Sequence, residues 1–166
     1  MKTVGVVDDA GARRAEEARA RFAAARVARL ASLTPAGEPH IVPVTFAVDG
    51  DVVWSAVDDK PKSTRRLQRL ANIAAHPAVS LLVDRYDNDW SALWWVRADG
   101  PASITDLADT AEVHAALTEL AAKYPQYAEV PPAGPLIRIG VTSWHAWSAS
   151  DPTREIRRRA SPRQPA

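Results

Sequence analysis

Side chains able to do chemistry are sparse in this chain of 166 residues. Its four histidines, His40, His76, His114 and His145, stand far apart, with none of the short spacings that bring two imidazoles to one metal. There is no cysteine, which removes disulfides, thiolate metal sites and cysteine nucleophiles in one step. No G-x-S-x-G elbow, P-loop or G-x-G-x-x-G occurs, so a metal site or nucleophilic hydrolase would have to be assembled from distant residues. The informative stretch is Lys60-Pro61-Lys62-Ser63-Thr64-Arg65-Arg66-Leu67, where four cations and two hydroxyls gather at a helix start just after a strand. A helix N-terminus offers unpaired N–H groups and the positive end of the dipole, which suits an anion. Cations placed there work against the dipole unless something negative binds. On the residues alone, a solvated basic turn with Ser63 capping the helix is an equal reading.

The elements that must carry this stretch follow from patterning. Asp9 to Arg26 is rich in Ala, Arg and Glu and reads as a helix, with Asp8 or Asp9 at its cap and Phe22 docking it on the core. Val27–Leu33, His40–Val48 and Asp51–Val57 read as strands, with turns at residues 34–39 and at Asp49-Gly50, where glycine tolerates positive φ. Ser63–Ala75 carries Leu67, Leu70, Ile73 and Ala74 at helical spacing and stops at His76-Pro77. Val79–Asp84 is a fourth strand, patterned for burial on both sides, and Trp90–Ile104 a fifth, bent near Gly100-Pro101. Asp106–Tyr124 reads as a helix, residues 125–135 as a loop, and Leu136–Ser148 as the last strand. Six strands in the order α-β-β-β-α-β-β-α-β suit a closed or nearly closed antiparallel barrel, which removes exposed edges.

Composition sets the class. Hydrophobic residues make up 46% and charged residues 25%, as in globular chains, so residues 1–150 read as one domain. Residues 151–166, with Arg154, Arg157, Arg158, Arg159 and Arg163, read as a flexible tail. A net charge of +1 argues against a non-specific nucleic-acid binder. The start turns acidic quickly, and no apolar run is long enough to span a bilayer, so the expectation is a cytoplasmic protein without a membrane partner. Six tryptophans against two phenylalanines point to aromatic packing in the core and between subunits.

Four segments, in order, carry a resemblance. They are Val27-Ala28-Arg29-Leu30-Ala31-Ser32-Leu33, Pro39-His40-Ile41-Val42-Pro43-Val44-Thr45-Phe46, Lys60-Pro61-Lys62-Ser63, and the run from Leu70-Ala71-Asn72-Ile73 through His76-Pro77 to Leu81. With these the chain resembles the pyridoxamine-phosphate-oxidase-like split-barrel superfamily over about Arg21 to Ser148. It is most similar to the actinobacterial branch that uses the deazaflavin coenzyme F420. The resemblance implies a mainly β fold with flanking helices, a six-stranded antiparallel split β-barrel of the FMN-binding type. It also implies a homodimer with two equivalent cofactor sites at the subunit interface.

In that frame Pro43, Val44 and Thr45 contact the ring through their backbone, and Ser55, Ala56 and Val57 line the same groove. Lys60, Lys62 and Ser63 hold the phosphate with Arg66 nearby, and Trp95 reaches the ring from the other subunit. Coenzyme F420 carries a phosphodiester and a polyglutamate tail, which the cations Lys60, Lys62, Arg65 and Arg66 suit. Such a cofactor performs the hydride chemistry itself, so the lack of a catalytic triad is no obstacle to an enzyme. The implied activity is reduction of a small electron-poor organic substrate by the reduced deazaflavin. An FMN-dependent or haem-related split-barrel enzyme and a non-catalytic cofactor-binding protein are the alternatives. Authentic vitamin B6 oxidases end in a W-x…R-L-type segment, whereas here the last strand reads Trp144-His145-Ala146-Trp147-Ser148. Tyr86, Trp90 and His145 are candidates for the open side of the ring, His145 as a proton donor.

Overall fold

Along residues 28–33 burial alternates, with Ala28, Leu30 and Ser32 buried and Arg29 and Leu33 exposed, the signature of a strand with one face in a core. The computed structural model describes residues 9–57, 65–108 and 110–159. In chain order the elements are α1 (Asp9–Ala24), β1 (Ala28–Leu33), β2 (Pro39–Val44), β3 (Ala47–Asp49), β4 (Val52–Ala56), α2 (Arg65–Ala75) and β5 (Ala78–Arg85). They continue as β6 (Trp94–Thr105), α3 (Ala111–Lys123), α4 (Pro125–Glu129), β7 (Leu136–Gly140), β8 (Ser143–Ser148) and β9 (Asp151–Arg159). The fold is mainly antiparallel β with flanking helices, as anticipated.

The strands join in the order β2-β1-β5-β6-β7-β4-β3, with β8 on β6 and β9 on β8. The two ends of that path, β2 and β3, are consecutive in the chain and are linked only by Thr45-Phe46. The sheet therefore curls until its ends meet, and a covalent link rather than a ladder joins them. This explains why the strand expected over His40–Val48 is two strands. Ala28, the first residue of β1, already pairs with Val44, so the chain has no partner beyond that point. It crosses over and pairs Ala47 with Trp54.

The single strand expected over Leu136–Ser148 is likewise two. β7 pairs with β4 and with the second half of β6, and β8 takes the other edge of β6's first half. The handover falls at Gly100 and Gly140, where a Cβ on Gly100 would lie 2.0 Å from the Gly140 carbonyl oxygen. β6 runs on through Gly100-Pro101 and changes partners there. Trp90 lies outside β6, in a 3₁₀ turn over Trp90–Ala92 that Asp89 caps by accepting from the Ser91 N–H at 3.0 Å. Helix α3 starts at Ala111, where Thr110 accepts from Val113 N–H. Pro125 opens the short α4 within the span expected to be loop, since proline needs no donor at a first helical position. Residues 151–159 of the Arg-rich segment form β9, with Ile156 opposite Ala146.

Two cores result. Inside the barrel lie Phe22, Leu30, Phe46, Val53, Leu81, Val83 and Ile137, with Phe22 wedged against Phe46 and Trp144 at ring-centroid distances of 5.0 and 5.1 Å. Phe22 thus docks α1 on the core as the pattern predicts. Outside, Trp54, Ala56 and Leu136 pack against Val113, Ala116 and Leu120 of α3 and against Tyr124 and Tyr127. β4 is buried along its whole length because it stands between the two cores. On β5, by contrast, Val79, Leu81 and Val83 are buried while Ser80 and Leu82 are only half-buried, so one face stays open in a single chain. Among the described residues no helix is long and apolar enough to cross a membrane.

Candidate functional site

Pro43, Val44 and Thr45 close β2, an edge strand bonded only to β1. The outer backbone edge of β2 therefore faces no ladder partner among the described residues, and backbone groups at such an edge are open to a ligand. Pro43 is exposed, Val44 buried, and Thr45 half-buried with its Oγ1 2.9 Å from the Tyr127 hydroxyl. The β3–β4 register, Ala47 opposite Trp54, carries Thr45 toward the Ala56 end of β4. Ser55, Ala56 and Val57 are all buried there, and the Ser55 Oγ has no hydrogen-bond partner. Val57 N–H donates to the Pro135 carbonyl at 3.1 Å, and a Cβ on Gly134 would stand 2.5 Å from the Val57 carbonyl oxygen, so this approach needs glycine. The end of β2 and the end of β4 thus share one rim of the barrel.

Lys60, Lys62 and Ser63 lie outside the described residues. Arg66 sits in the first turn of α2, and nothing is described of its side chain. Trp95 is not brought to the Thr45 rim within one chain. It lies on β6 opposite Trp147 and Asp84 and lines a separate cavity of about 190 Å³ with Arg14, Glu17 and Arg21. His145 is also elsewhere: its Nε2 is 3.2 Å from Asp99 Oδ2, and its Nδ1 is buried without a partner. Asp99 also accepts from Ser80 Oγ at 2.6 Å and from Arg97 Nε at 3.0 Å, which ties β5, β6 and β8 together. Tyr86 and Trp90 are exposed. Among the described residues no three of His, Asp and Glu converge as a metal-binding group.

The rim opens into a groove of about 700 Å³ that sequence reading did not find. Its walls include Arg26, Val27, Thr45, Tyr124, Tyr127 and Val130. The buried Tyr124 hydroxyl accepts from Phe46 N–H at 3.0 Å and lies 2.9 Å from the Arg26 carbonyl and 3.0 Å from the Phe46 carbonyl, to either of which it can donate. Burial pushes this hydroxyl above the usual phenol range. Lys123 has its ammonium 3.6 Å from the centre of the Phe46 ring, sealed from solvent and without a hydrogen-bond partner. Burial, and then the Arg26 charge, lower its pKa to about 8. The only sequence signal for this groove was the Lys123-Tyr124-Pro125-Gln126-Tyr127 run, where proline starts a new helix and sets two tyrosines side by side, 5.6 Å between ring centres.

Comparison with curated protein sequences finds no match. Solved structures share the fold. A haem-binding protein from Mycobacterium smegmatis aligns at 21% identity over 93% of this chain with a TM-score of 0.71, and this chain spans 60% of that protein's length. An FAD-binding protein from Mesorhizobium loti aligns at 23% identity over 80% of this chain and 90% of its own, with a TM-score of 0.58. The haem storage protein HutZ from Vibrio cholerae aligns at 12% identity over 82% of this chain and 92% of its own, with a TM-score of 0.61. Residues 15–148 match the family model described as pyridoxamine 5'-phosphate oxidase. With most of its length inside that match, and with a barrel whose edge strand and rim are built as described, this chain belongs to the pyridoxamine 5'-phosphate oxidase family.

Proposed function

We propose that the protein is a homodimeric oxidoreductase that binds coenzyme F420 and reduces a small electron-poor organic molecule. The observation that carries this reading is the shared rim. The open edge of β2 ends at Thr45 beside the end of β4, and only seven residues, 58–64, then separate Val57 from α2. Lys60, Lys62 and Ser63 fall within that stretch, outside the described residues. A phosphate held by Lys60, Lys62, Ser63 and Arg66 would leave a ring within reach of the β2 backbone at Pro43–Thr45. Arg65 and Arg66 favour a cofactor with a long anionic tail. When bound, the deazaflavin would supply the hydride; the chain's part is to bind, orient and exclude water.

Support for a dimer comes from the outward face of β2-β1-β5-β6-β8. Ile41 is 66% exposed and Leu33 40%, while Leu82, Trp95 and Trp147 are half-buried on the same face. A second chain on that face would carry Trp95 toward the partner's rim. FMN is the second reading, favoured by the FAD-binding structural neighbour. Titration of the purified protein with F420 and with FMN, followed by fluorescence, tests the choice. Saturable F420 binding that weakens in Lys62→Ala, with the fold intact, is expected. Tight FMN binding without any response to F420 would overturn the F420 assignment.

A further inference from the structure

The groove beneath Thr45 has a charge pattern of its own among the described residues. Elsewhere arginines meet carboxylates: Arg19 pairs with Asp51, Arg29 with Asp84, Arg97 with Asp99 and Arg138 with Glu112. Arg26, on the groove wall, has no such partner among the described residues. One of its N–H groups donates to the Lys123 carbonyl at 2.8 Å, and the guanidinium lies over the Tyr124 ring at 5.0 Å. Lys123 stands behind it, its ammonium 5.6 Å from the Tyr124 ring centre. Two like charges are thus held together by aromatic faces and a carbonyl, with no carboxylate paired to either among the described residues. Such an arrangement is costly, and an incoming anion relieves it.

Apart from Gln126, the remaining walls are mainly apolar and partly open to solvent. Val27 is 49% exposed and Val130 73%, and Pro131 and Pro132 continue the same side. A volume of about 700 Å³ is that of a small-molecule site rather than a crevice for water. The Thr45–Tyr127 hydroxyl pair gives the groove a polar edge on the β2 rim.

We propose that this groove binds a small molecule with a flat apolar body and one carboxylate-class anion, the anion set against Arg26. That this molecule is the substrate of the oxidoreductase rests on the function proposed above; the binding itself does not. Because Arg26 is exposed, the contribution of the charge is modest, roughly fivefold to tenfold in affinity.

The probes are 2-naphthoate and the uncharged 2-naphthamide, titrated by calorimetry into the full-length protein purified without cofactor. Naphthoate is expected to bind at least fivefold more tightly than naphthamide, and Arg26→Gln to bring the two together. Arg26→Lys, which keeps the charge, should retain most of the difference. Val130→Trp, at an exposed position, should fill the groove and abolish binding of both probes. Equal binding of the two probes, no binding of either, or a preference that survives Arg26→Gln or Val130→Trp would each overturn the proposal. Cofactor titration separates the two readings. A protein that binds naphthoate but neither F420 nor FMN refutes only the oxidoreductase. One that binds cofactor but not naphthoate refutes only the groove.

Discussion

Replacing Tyr124 by phenylalanine removes one oxygen atom from the point where the two ends of the sheet meet. That oxygen accepts from Phe46 N–H at 3.0 Å, and its proton is shared with the carbonyls of Arg26 and Phe46. Phe46 is fully buried and lies between strands, so no ladder partner replaces the lost acceptor. A buried N–H left unpaired costs about 1–3 kcal/mol. A carbonyl, with two lone pairs, tolerates the loss better and adds about 1 kcal/mol or less. Tyr124→Phe should therefore destabilise the protein by about 2–3 kcal/mol, lowering Tm by roughly 5–10 °C for a chain of this size. Tyr127→Phe is the internal control. Its hydroxyl lies 2.9 Å from Thr45 Oγ1, a half-buried side chain that can rotate, so losing that contact should cost about 1 kcal/mol or less. Urea unfolding of both variants, read by far-UV circular dichroism and tryptophan fluorescence, measures the difference at constant m-value. If Tyr124→Phe costs under about 0.5 kcal/mol, or no more than Tyr127→Phe, then the hydroxyl does not hold the sheet ends together.

Three further outcomes follow from particular contacts. Lys123, with a pKa of about 8 in the fold against 10.5 for an unperturbed lysine, should make stability rise with pH between those values. Below pH 8 both states hold the proton and the full penalty applies; between pH 8 and 10.5 the unfolded chain holds more protons, so alkali favours the fold. The gain should be about 1–2 kcal/mol, reduced from the full shift because the stem of the side chain is only half-buried although its ammonium is sealed, and Lys123→Met should flatten this part of the profile. Gly100→Ala drives a methyl into the Gly140 carbonyl at 2.0 Å, and soluble folded protein should be lost or its Tm sharply lowered; a wild-type melting curve would refute the close approach. Asp99→Ala strips an acceptor from Ser80, Arg97 and His145 and should cost about 1–3 kcal/mol in denaturant, whereas Arg85→Ala, whose ion pair with Asp87 is exposed, should be near neutral.

What the sequence determined by itself is local. The run Val27–Leu33 marks β1, and the Asp49-Gly50 pair marks a turn, with Gly50 at φ 58°. Helical spacing at Leu70 and Ile73 marks α2, and the order of these segments is enough to place the chain in its family. These signals are readable because each comes from a residue and its near neighbours in the chain. Partner changes are not of that kind. Nothing in residues 40–48 shows that β1 starts only at Ala28, and it is this that splits the strand at Thr45. Nothing near Gly140 shows that Gly100 lies against it. Arg26, Lys123 and Tyr124 read as a helix exit and a helix end, separated by 97 positions. Only the curl of the sheet brings them to one groove with Thr45, where Phe22 of α1 packs on the Phe46 ring and Lys123, at the end of α3, reaches the same ring. The basic run at Lys60–Arg66 was legible from its composition; the uncompensated charge at Arg26 and Lys123 exists only once the chain is folded.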